Sequence, residues 1–187
     1  MSDKVKFPRA DALKVARFLC VTMADHCVRL LCAGSLRRRK EMVGDIELVF
    51  IPEMTTQAVD FFAAETVSKV DLVLNDLIAR GVIEKRRNVN GSEMWGEKNK
   101  LARHVASGIP VDFFATNEAA WFNYLVCRTG GAQSNTQIAS AAQSKGWKWN
   151  PYGPGFTDNH GEIVRVTSEH DVFRLAGLPY REPWERL

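Results

Sequence analysis

Two acidic residues, Asp45 and Glu47, lie two positions apart in an otherwise apolar stretch that continues to Ile51. Side chains alternate between the two faces of a β-strand, so both carboxylates are predicted to share one face while Ile46 and Leu48 point into a core. Two carboxylates side by side repel each other unless a cation lies between them. The pattern therefore predicts a strand that binds a cation, and oxygen ligands of this kind suit Mg²⁺.

A glycine-serine pair, Gly34-Ser35, follows an apolar run that ends at Cys32. A strand, a tight glycine turn and a short helix present backbone N–H groups that bind phosphate, and the serine hydroxyl adds a donor. Four consecutive cations follow, from Arg37 to Lys40. A phosphate-binding turn together with a carboxylate pair is typical of a metal–nucleotide site. The alternative for the same residues is a basic surface turn followed by a half-exposed strand.

A third acidic residue, Asp112, interrupts the apolar run from Val111 to Ala115. A strand of this kind accommodates an acid when the acid is paired, faces solvent or binds a metal ion, and Asp112 alone does not decide among these. Together with Asp45 and Glu47 it completes the set of carboxylates that a two-metal site needs.

Hydrophobic periodicity predicts the elements that must position these residues, and it indicates an α+β fold. The predicted helices are 10–27, 66–80, 118–128, 134–145 and a short one that ends at Gly177. The predicted strands are 28–33, 46–51, 82–87, 94–105, 111–115, 147–149 and 162–166. Residues 53–65 are predicted to form a loop with some helix.

Composition bounds the class of protein. The chain has 187 residues, 45% of them apolar, and a net charge of +3, so nucleic-acid binding would need clustered cations. The four cysteines have neither zinc-ribbon nor redox spacing, which favours a reducing compartment. No signal peptide or membrane span is visible. We therefore expect a cytoplasmic protein that does not bind membranes, with a bacterial or viral origin left open.

Two segments resemble the nucleotidyltransferase signature of family X DNA polymerases, the polymerase beta group. They are Gly34-Ser35-Leu36-Arg37-Arg38 and Gly44-Asp45-Ile46-Glu47. Further segments are similar to the same family after residue 108, namely Val111-Asp112-Phe113-Phe114, Thr129-Gly130 with Asn135, and Gly177-Leu178-Pro179-Tyr180.

The resemblance implies a palm over residues 1–115, with a mixed β-sheet flanked by helices, and a small C-terminal α/β lobe over 116–187 that closes on the nucleotide. It implies attack of a 3′-hydroxyl on the α-phosphate of a nucleoside triphosphate. Two Mg²⁺ ions, with Mn²⁺ as a substitute, would be held by the catalytic residues Asp45, Glu47 and Asp112.

The resemblance also implies the ligand contacts. The triphosphate would be bound by Gly34, Ser35, Arg38 and Gly44. The sugar and base would be contacted by Arg128, Thr129, Gly130 and Asn135. Nucleic acid would be contacted by Arg39, Lys40 and Lys98.

The chain departs from the family pattern at three of these positions. Glu47 replaces the usual second aspartate, which bears on metal geometry and rate. Arg39 stands where the family has glycine, and Cys127-Arg128 replaces a Tyr-Phe pair that discriminates deoxyribose from ribose. One helix alone is expected before the palm, without the lyase domain and the helix-hairpin-helix elements that grip DNA. We therefore expect weak, salt-sensitive DNA binding.

The favoured hypothesis is a monomeric DNA-directed DNA polymerase that fills short gaps in DNA repair, with a primer-template or gapped duplex and a nucleoside triphosphate as partners. The alternative is a template-independent nucleotidyltransferase acting on a nucleic-acid end, a protein or a small molecule. A non-catalytic nucleotide- or nucleic-acid-binding module is the third hypothesis, and the presence of all three acids argues against it.

Overall fold

The computed structural model describes residues 5–58 and 64–187 of the chain. The helices are α1 Arg9–Met23, α2 Gly34–Arg37, α3 Lys69–Ala79, α4 Trp121–Thr129, α5 Ala132–Gln143 and α6 Glu169–Ala176. The strands are β1 Phe7–Pro8, β2 Cys27–Cys32, β3 Met42–Val43, β4 Ile46–Pro52, β5 Met54–Ala58, β6 Ala64–Ser68, β7 Ile83–Lys85, β8 Asn99–His104, β9 Pro110–Ala115, β10 Lys148–Trp149, β11 Gly155–Thr157 and β12 Ile163–Arg165.

The chain forms two compact units, each built from two segments. The first unit contains the residues up to Cys32 together with Met42–Ala115, and the second contains Ala33–Glu41 together with Thr116–Leu187. The sequence prediction divided the chain once, after residue 115. The short segment 33–41 is instead grouped with the C-terminal residues, because its contacts lie there.

The first unit contains a five-stranded mixed sheet in the order β2-β4-β9-β8-β7. The central pair β4 and β9 is parallel, and the other neighbouring pairs are antiparallel. Both central strands are nearly continuous apolar runs, as expected for strands covered on both faces. The mixed sheet and the flanking helices confirm the predicted α+β class.

The helices α1 and α3 cover one face of this sheet. α1 packs against β2, β4 and α3. Lys100 of β8 is 3% exposed, and its Nζ lies 2.9 Å from Asp71 Oδ1 of α3. Because neighbouring side chains on a strand point to opposite faces, Leu101 points away from the helices. Asp112, the register partner of Leu101 on β9, shares that opposite face.

The second unit packs three helices against a small antiparallel sheet, β10-β11-β12. Its core contains a buried amide, Asn123, which is 0% exposed. Asn123 Nδ2 donates to the carbonyls of Asn150, Gly153 and Gly155, and its Oδ1 accepts from Trp149 Nε1 at 3.0 Å. Trp149 is therefore a packing residue, and one amide holds the turn that leads into β11.

Several predicted boundaries were wrong for local reasons. α1 ends at Met23, since residues 24–26 form a 3-10 helix and the strand β2 begins at Cys27. α3 begins at Lys69 because Ser68 caps it by accepting from the Asp71 N–H. The segment predicted as loop with some helix instead contributes the hairpin of β5 and β6, with residues 59–63 outside the described part. Among residues 5–58 and 64–187, none of the helices has the length and hydropathy that crossing a bilayer requires.

Candidate active site

Two of the three predicted carboxylates, Glu47 and Asp112, share the face of the sheet opposite α1 and α3. Glu47 and Asp112 are direct register partners on the parallel strands β4 and β9. Neighbouring strands lie about 4.8 Å apart, so these two side chains start within reach of one shared ion. Asp45 precedes Glu47 by two residues and lies immediately before β4.

An arginine that the sequence reasoning did not assign to the site binds one of these carboxylates. Arg86 Nη2 lies 2.5 Å from Asp112 Oδ1, and their side chains are 28% and 13% exposed. The Arg86 N–H donates to the Leu101 carbonyl, which extends the pairing of β7 and β8 by one residue. Glu47, Asp112, Leu101 and Arg86 therefore form one row across four strands, on one face of the sheet.

A cavity of about 610 Å³ opens on the first unit beside this row. Asp45 and Gly44 line it together with Arg86. Its other charged lining residues are Glu84, Lys85, Arg87 and Arg103. A Cβ at Gly44 would meet no atom within 4 Å, so the space beside the first carboxylate is open. The cavity therefore combines carboxylates with an excess of cations.

The donor set suits a hard divalent cation, but the side chains are not arranged around one. Within the described residues, no three Asp, Glu, His or Cys side chains are grouped so that they could hold a metal ion. The Arg86 guanidinium contacts one oxygen of Asp112 and places a positive charge there. A metal ion at Asp112 would bind the other carboxylate oxygen or displace Arg86 from Oδ1.

The predicted phosphate-binding residues Gly34, Ser35 and Arg38 lie in the second unit, in the one-turn helix α2 and at its end. Gly34 has a φ of 58°, in the left-handed region where glycine is favoured. Ser35 Oγ is buried and has no hydrogen-bond partner within the described residues. An unsatisfied buried hydroxyl is unfavourable unless a ligand completes it, so Ser35 fits the predicted contact with a phosphate oxygen.

The two arginines of this segment attach it to the rest of the second unit. Arg37 forms a fork with Glu169 of α6, at 2.5 and 3.1 Å, and its Nη1 also donates to Thr129 Oγ1 at 2.7 Å. Arg38 Nη1 donates to the Thr129 carbonyl at 2.6 Å. Arg186, which is 0% exposed, donates to Glu169 Oε2 at 2.6 Å. Thus Arg37 binds a carboxylate and a hydroxyl, and Arg38 binds a backbone carbonyl of the same unit.

Glu169 is the carboxylate that neutralises Arg37 and Arg186 in this network. Burial alone would raise its pKa, but the hydrogen bonds and charges of Arg37 and Arg186 outweigh burial and lower the pKa below 4.5. Two arginines therefore share one ionised carboxylate, which joins α2 to α6 and to the C-terminal segment.

The predicted nucleotide-contacting residues surround the end of α4. Thr129 is 0% exposed and its hydroxyl binds Arg37, so its observed contacts anchor the segment 33–41. Asn135 Nδ2 donates to the Cys127 carbonyl, and its Oδ1 is buried without a hydrogen-bond partner in the described chain. A Cβ at Gly130 would lie 2.6 Å from that oxygen, which explains the glycine. A nucleotide contact by Thr129, Gly130 or Asn135 stays a prediction.

The remaining predicted contact residues are exposed cations or stack on rings. Arg128 lies 5.3 Å from the Tyr124 ring and 5.6 Å from the Tyr152 ring. Arg39 lies over Trp184, whereas Lys40 and Lys98 are exposed. Lys98 belongs to the first unit and the other three to the second.

Comparison with known proteins agrees with this architecture. The model of the DNA polymerase beta thumb matches residues 124–187. DNA polymerase lambda of Rattus norvegicus is 25% identical over 197 residues, which is 97% of this chain and 33% of the relative. DNA polymerase lambda of Arabidopsis thaliana is 23% identical over 202 residues, covering 98% of this chain and 37% of the relative. The chain thus spans about a third of the length of these relatives.

Solved structures with the same fold include two of Leishmania infantum polymerase beta. A ternary P/T complex aligns with a TM-score of 0.73 at 20% identity, over 98% of this chain and 77% of that one. A ternary gap complex aligns with a TM-score of 0.72 at 19% identity, over 97% and 71% of the two chains. The thumb match, the similarity to polymerase lambda along almost the whole chain and the polymerase beta fold make this chain similar to the family X DNA polymerases.

Proposed function

We propose that this protein is a DNA-directed DNA polymerase that transfers a nucleotidyl group from a deoxynucleoside triphosphate to a 3′-hydroxyl, with short gaps in DNA as its substrate. The observation that carries the proposal is the register pairing of Glu47 with Asp112 on parallel strands, with Asp45 two residues before Glu47. The match to the polymerase beta thumb and the similarity to polymerase lambda support the reaction class.

Divalent metal ions, Mg²⁺ or Mn²⁺, would neutralise phosphate charge and make the 3′-hydroxyl more acidic when bound. Asp45 and Glu47 would hold both ions, and Asp112 would bind the ion that activates the hydroxyl and would help to remove its proton. Glu47 is one methylene longer than aspartate, so its carboxylate reaches further from β4. Its partner Asp112 starts from the adjacent strand, which leaves Glu47 able to ligate the same ion.

The residues Gly34, Ser35 and Arg38 would bind the β- and γ-phosphates, with the backbone at Gly44 contributing. Ser35 Oγ offers an unsatisfied donor, and Arg38 offers a guanidinium that binds phosphate oxygens in two-donor geometry. The cationic residues that line the cavity of the first unit would attract DNA electrostatically. Arg38 would balance part of the charge of the leaving pyrophosphate.

The test is primer extension with Mg²⁺ on a one-nucleotide-gapped duplex and on a bare single strand, with each deoxy- and ribonucleoside triphosphate supplied singly. The matched variants are Asp112→Asn and Asp76→Asn, since Asp76 is a surface residue of α3 that pairs with Arg80. The proposal predicts insertion of the complementary deoxynucleotide at the gap, lost by at least about 10²-fold in Asp112→Asn and retained in Asp76→Asn. Untemplated addition to the single strand would instead support the template-independent transferase.

A further inference from the structure

Arg39 has an unusual backbone conformation directly after the phosphate-binding helix α2. Its φ is 59°, and it is the one non-glycine residue with positive φ among residues 5–58 and 64–187. A residue with a Cβ is disfavoured in this left-handed region, whereas glycine enters it freely. The family pattern has glycine at this position. The chain therefore keeps the backbone turn that glycine would allow but places a long cationic side chain on it.

The Arg39 side chain stacks on an aromatic ring from the C-terminal segment. Its guanidinium carbon lies 3.9 Å from the centroid of the Trp184 ring. This distance is well within the range of about 6 Å in which a guanidinium is attracted to an aromatic face. Trp184 remains 44% exposed, so its ring is not a residue of the hydrophobic core. The contact stabilises the turn that the Arg39 backbone makes.

Trp184 is held on a rigid support. It is the central residue of the 3-10 helix Pro183–Glu185, where the Glu182 N–H donates to Glu185 Oε2 at 2.8 Å. Arg186, two residues later, is 0% exposed and binds the Arg181 carbonyl and Glu169. Trp184 therefore holds Arg39 against a fixed surface.

Backbone hydrogen bonds link the Arg39 turn to the predicted phosphate ligands. The Arg39 N–H donates to the Leu36 carbonyl, and the Lys40 N–H donates to the Ser35 carbonyl, both at 3.1 Å. Arg37 holds the inner side of the same segment through Glu169. Arg38 holds it through the Thr129 carbonyl, and Arg39 adds a third contact, next to the hydrogen bond that ends on Ser35.

We infer that Arg39 and Trp184 are positioning residues for triphosphate binding: their stack orients Ser35 and Gly34 without itself contacting the nucleotide. The inference rests on the proposed function, because it assumes that the segment 33–41 binds the triphosphate. The stack of Arg39 on Trp184 has no counterpart in polymerases that have glycine at the Arg39 position.

The test measures equilibrium binding of a deoxynucleoside triphosphate in the presence of Ca²⁺, which avoids turnover, together with KM and kcat. Arg39→Gly removes the guanidinium and also removes the strain of a left-handed non-glycine residue. Trp184→Ala removes the ring, whereas Trp184→Phe keeps an aromatic face. Arg174→Gln is the matched control, because Arg174 is an exposed arginine of α6 that pairs with Asp171. Thermal unfolding is recorded for every variant.

We expect Arg39→Gly and Trp184→Ala each to raise the dissociation constant and KM roughly two- to fivefold, with kcat changed less. The double variant should equal the single ones, since both remove one contact. Trp184→Phe should restore part of the affinity, and Arg39→Gly should unfold at the same temperature as the unsubstituted protein because relief of the left-handed arginine offsets the lost stack.

Three results would overturn the inference while leaving the proposed function intact. They are unchanged affinity in Arg39→Gly, an effect of Arg174→Gln as large as that of Arg39→Gly, and an effect of Arg39→Gly without one of Trp184→Ala. The last result would mean that Arg39 binds phosphate itself. Absence of triphosphate binding by the unsubstituted protein would overturn the proposed function and the inference together.

Discussion

Replacing Arg86 with glutamine removes the cation that contacts Asp112. The structure allows the effects on unfolding stability and on metal affinity to be estimated. The charge centres of the pair lie about 4 Å apart, which corresponds to an attraction of about 4 kcal/mol at an effective dielectric constant of about 20. Solvent screens part of it, because the Arg86 side chain is 28% exposed. A net loss of roughly 1–2 kcal/mol in the free energy of unfolding is expected in EDTA, since the charge-assisted contact of Arg86 with Asp112 is lost.

The same substitution should strengthen metal binding. In the unsubstituted protein an ion at Asp112 competes with, or is repelled by, the positive charge of Arg86, and in Arg86→Gln that charge is gone. A difference of about 1.4 kcal/mol corresponds to tenfold in affinity, so Mn²⁺ should bind about ten times more tightly to the variant. Denaturant unfolding in EDTA gives the stability, and electron paramagnetic resonance of free Mn²⁺ gives the affinity.

Arg103→Gln is the matched control for both measurements. Arg103 lies on the neighbouring strand β8, lines the same cavity and pairs with Glu84, and both side chains are about half exposed. It therefore removes an equal charge from the same surface without freeing a predicted metal ligand. The reasoning is refuted if Arg86→Gln and Arg103→Gln change Mn²⁺ affinity equally, or if Arg86→Gln binds Mn²⁺ more weakly than the unsubstituted protein.

Further predictions concern Glu169 and Asn123 of the second unit, and one glycine from each unit. Glu169 has a lowered pKa in the folded state, so its contribution to stability is present above about pH 4.5 and is lost as the pH falls through the folded pKa; Glu169→Gln should flatten acid unfolding in that range. Asn123→Leu should lower the free energy of unfolding by about 3 kcal/mol or more, because it leaves buried carbonyls and the Trp149 N–H without a partner, and urea unfolding measures it. Gly155→Ala should cost about 1–3 kcal/mol or more, since its Cβ would overlap the Val164 carbonyl oxygen, whereas Gly44→Ala should leave urea unfolding unchanged. Equal unfolding midpoints for the two glycine variants would contradict the packing argument.

Local patterns in the sequence were sufficient for the composition of the candidate site. Alternation along β4 predicted that Asp45 and Glu47 share a face and that Ile46 and Leu48 are buried, and the structure has both residues at 0% exposure. These inferences depend on spacing within one strand, which is a property of consecutive residues. The Gly-Ser pair was likewise informative, because the left-handed backbone of Gly34, the first residue of α2, favours glycine.

The predicted elements were correct in type where the hydrophobic periodicity was strong. They were wrong where pairing with another segment determines the secondary structure. β5 and β6 are polar, with little alternation of burial, and they exist as strands because they pair with each other. A hairpin of this kind is stabilised by register between two segments, which a single window does not contain. The start of α3 shifted for a related reason, since Ser68 both ends β6 and caps the helix.

The sequence by itself determined the chemistry, namely three carboxylates on two apolar strands, a glycine-serine turn and paired arginines. Tertiary structure alone decided the partners. Arg86 reaches Asp112 because two antiparallel registers align residues 86, 101 and 112 in one row, although 26 positions separate the pair along the chain. Glu169 joins Arg37 across 132 positions because the helices α6 and α2 come together in the second unit. Charge pairing depends on distance in space, and distances between segments far apart in the chain are set by packing and strand register, not by local pattern.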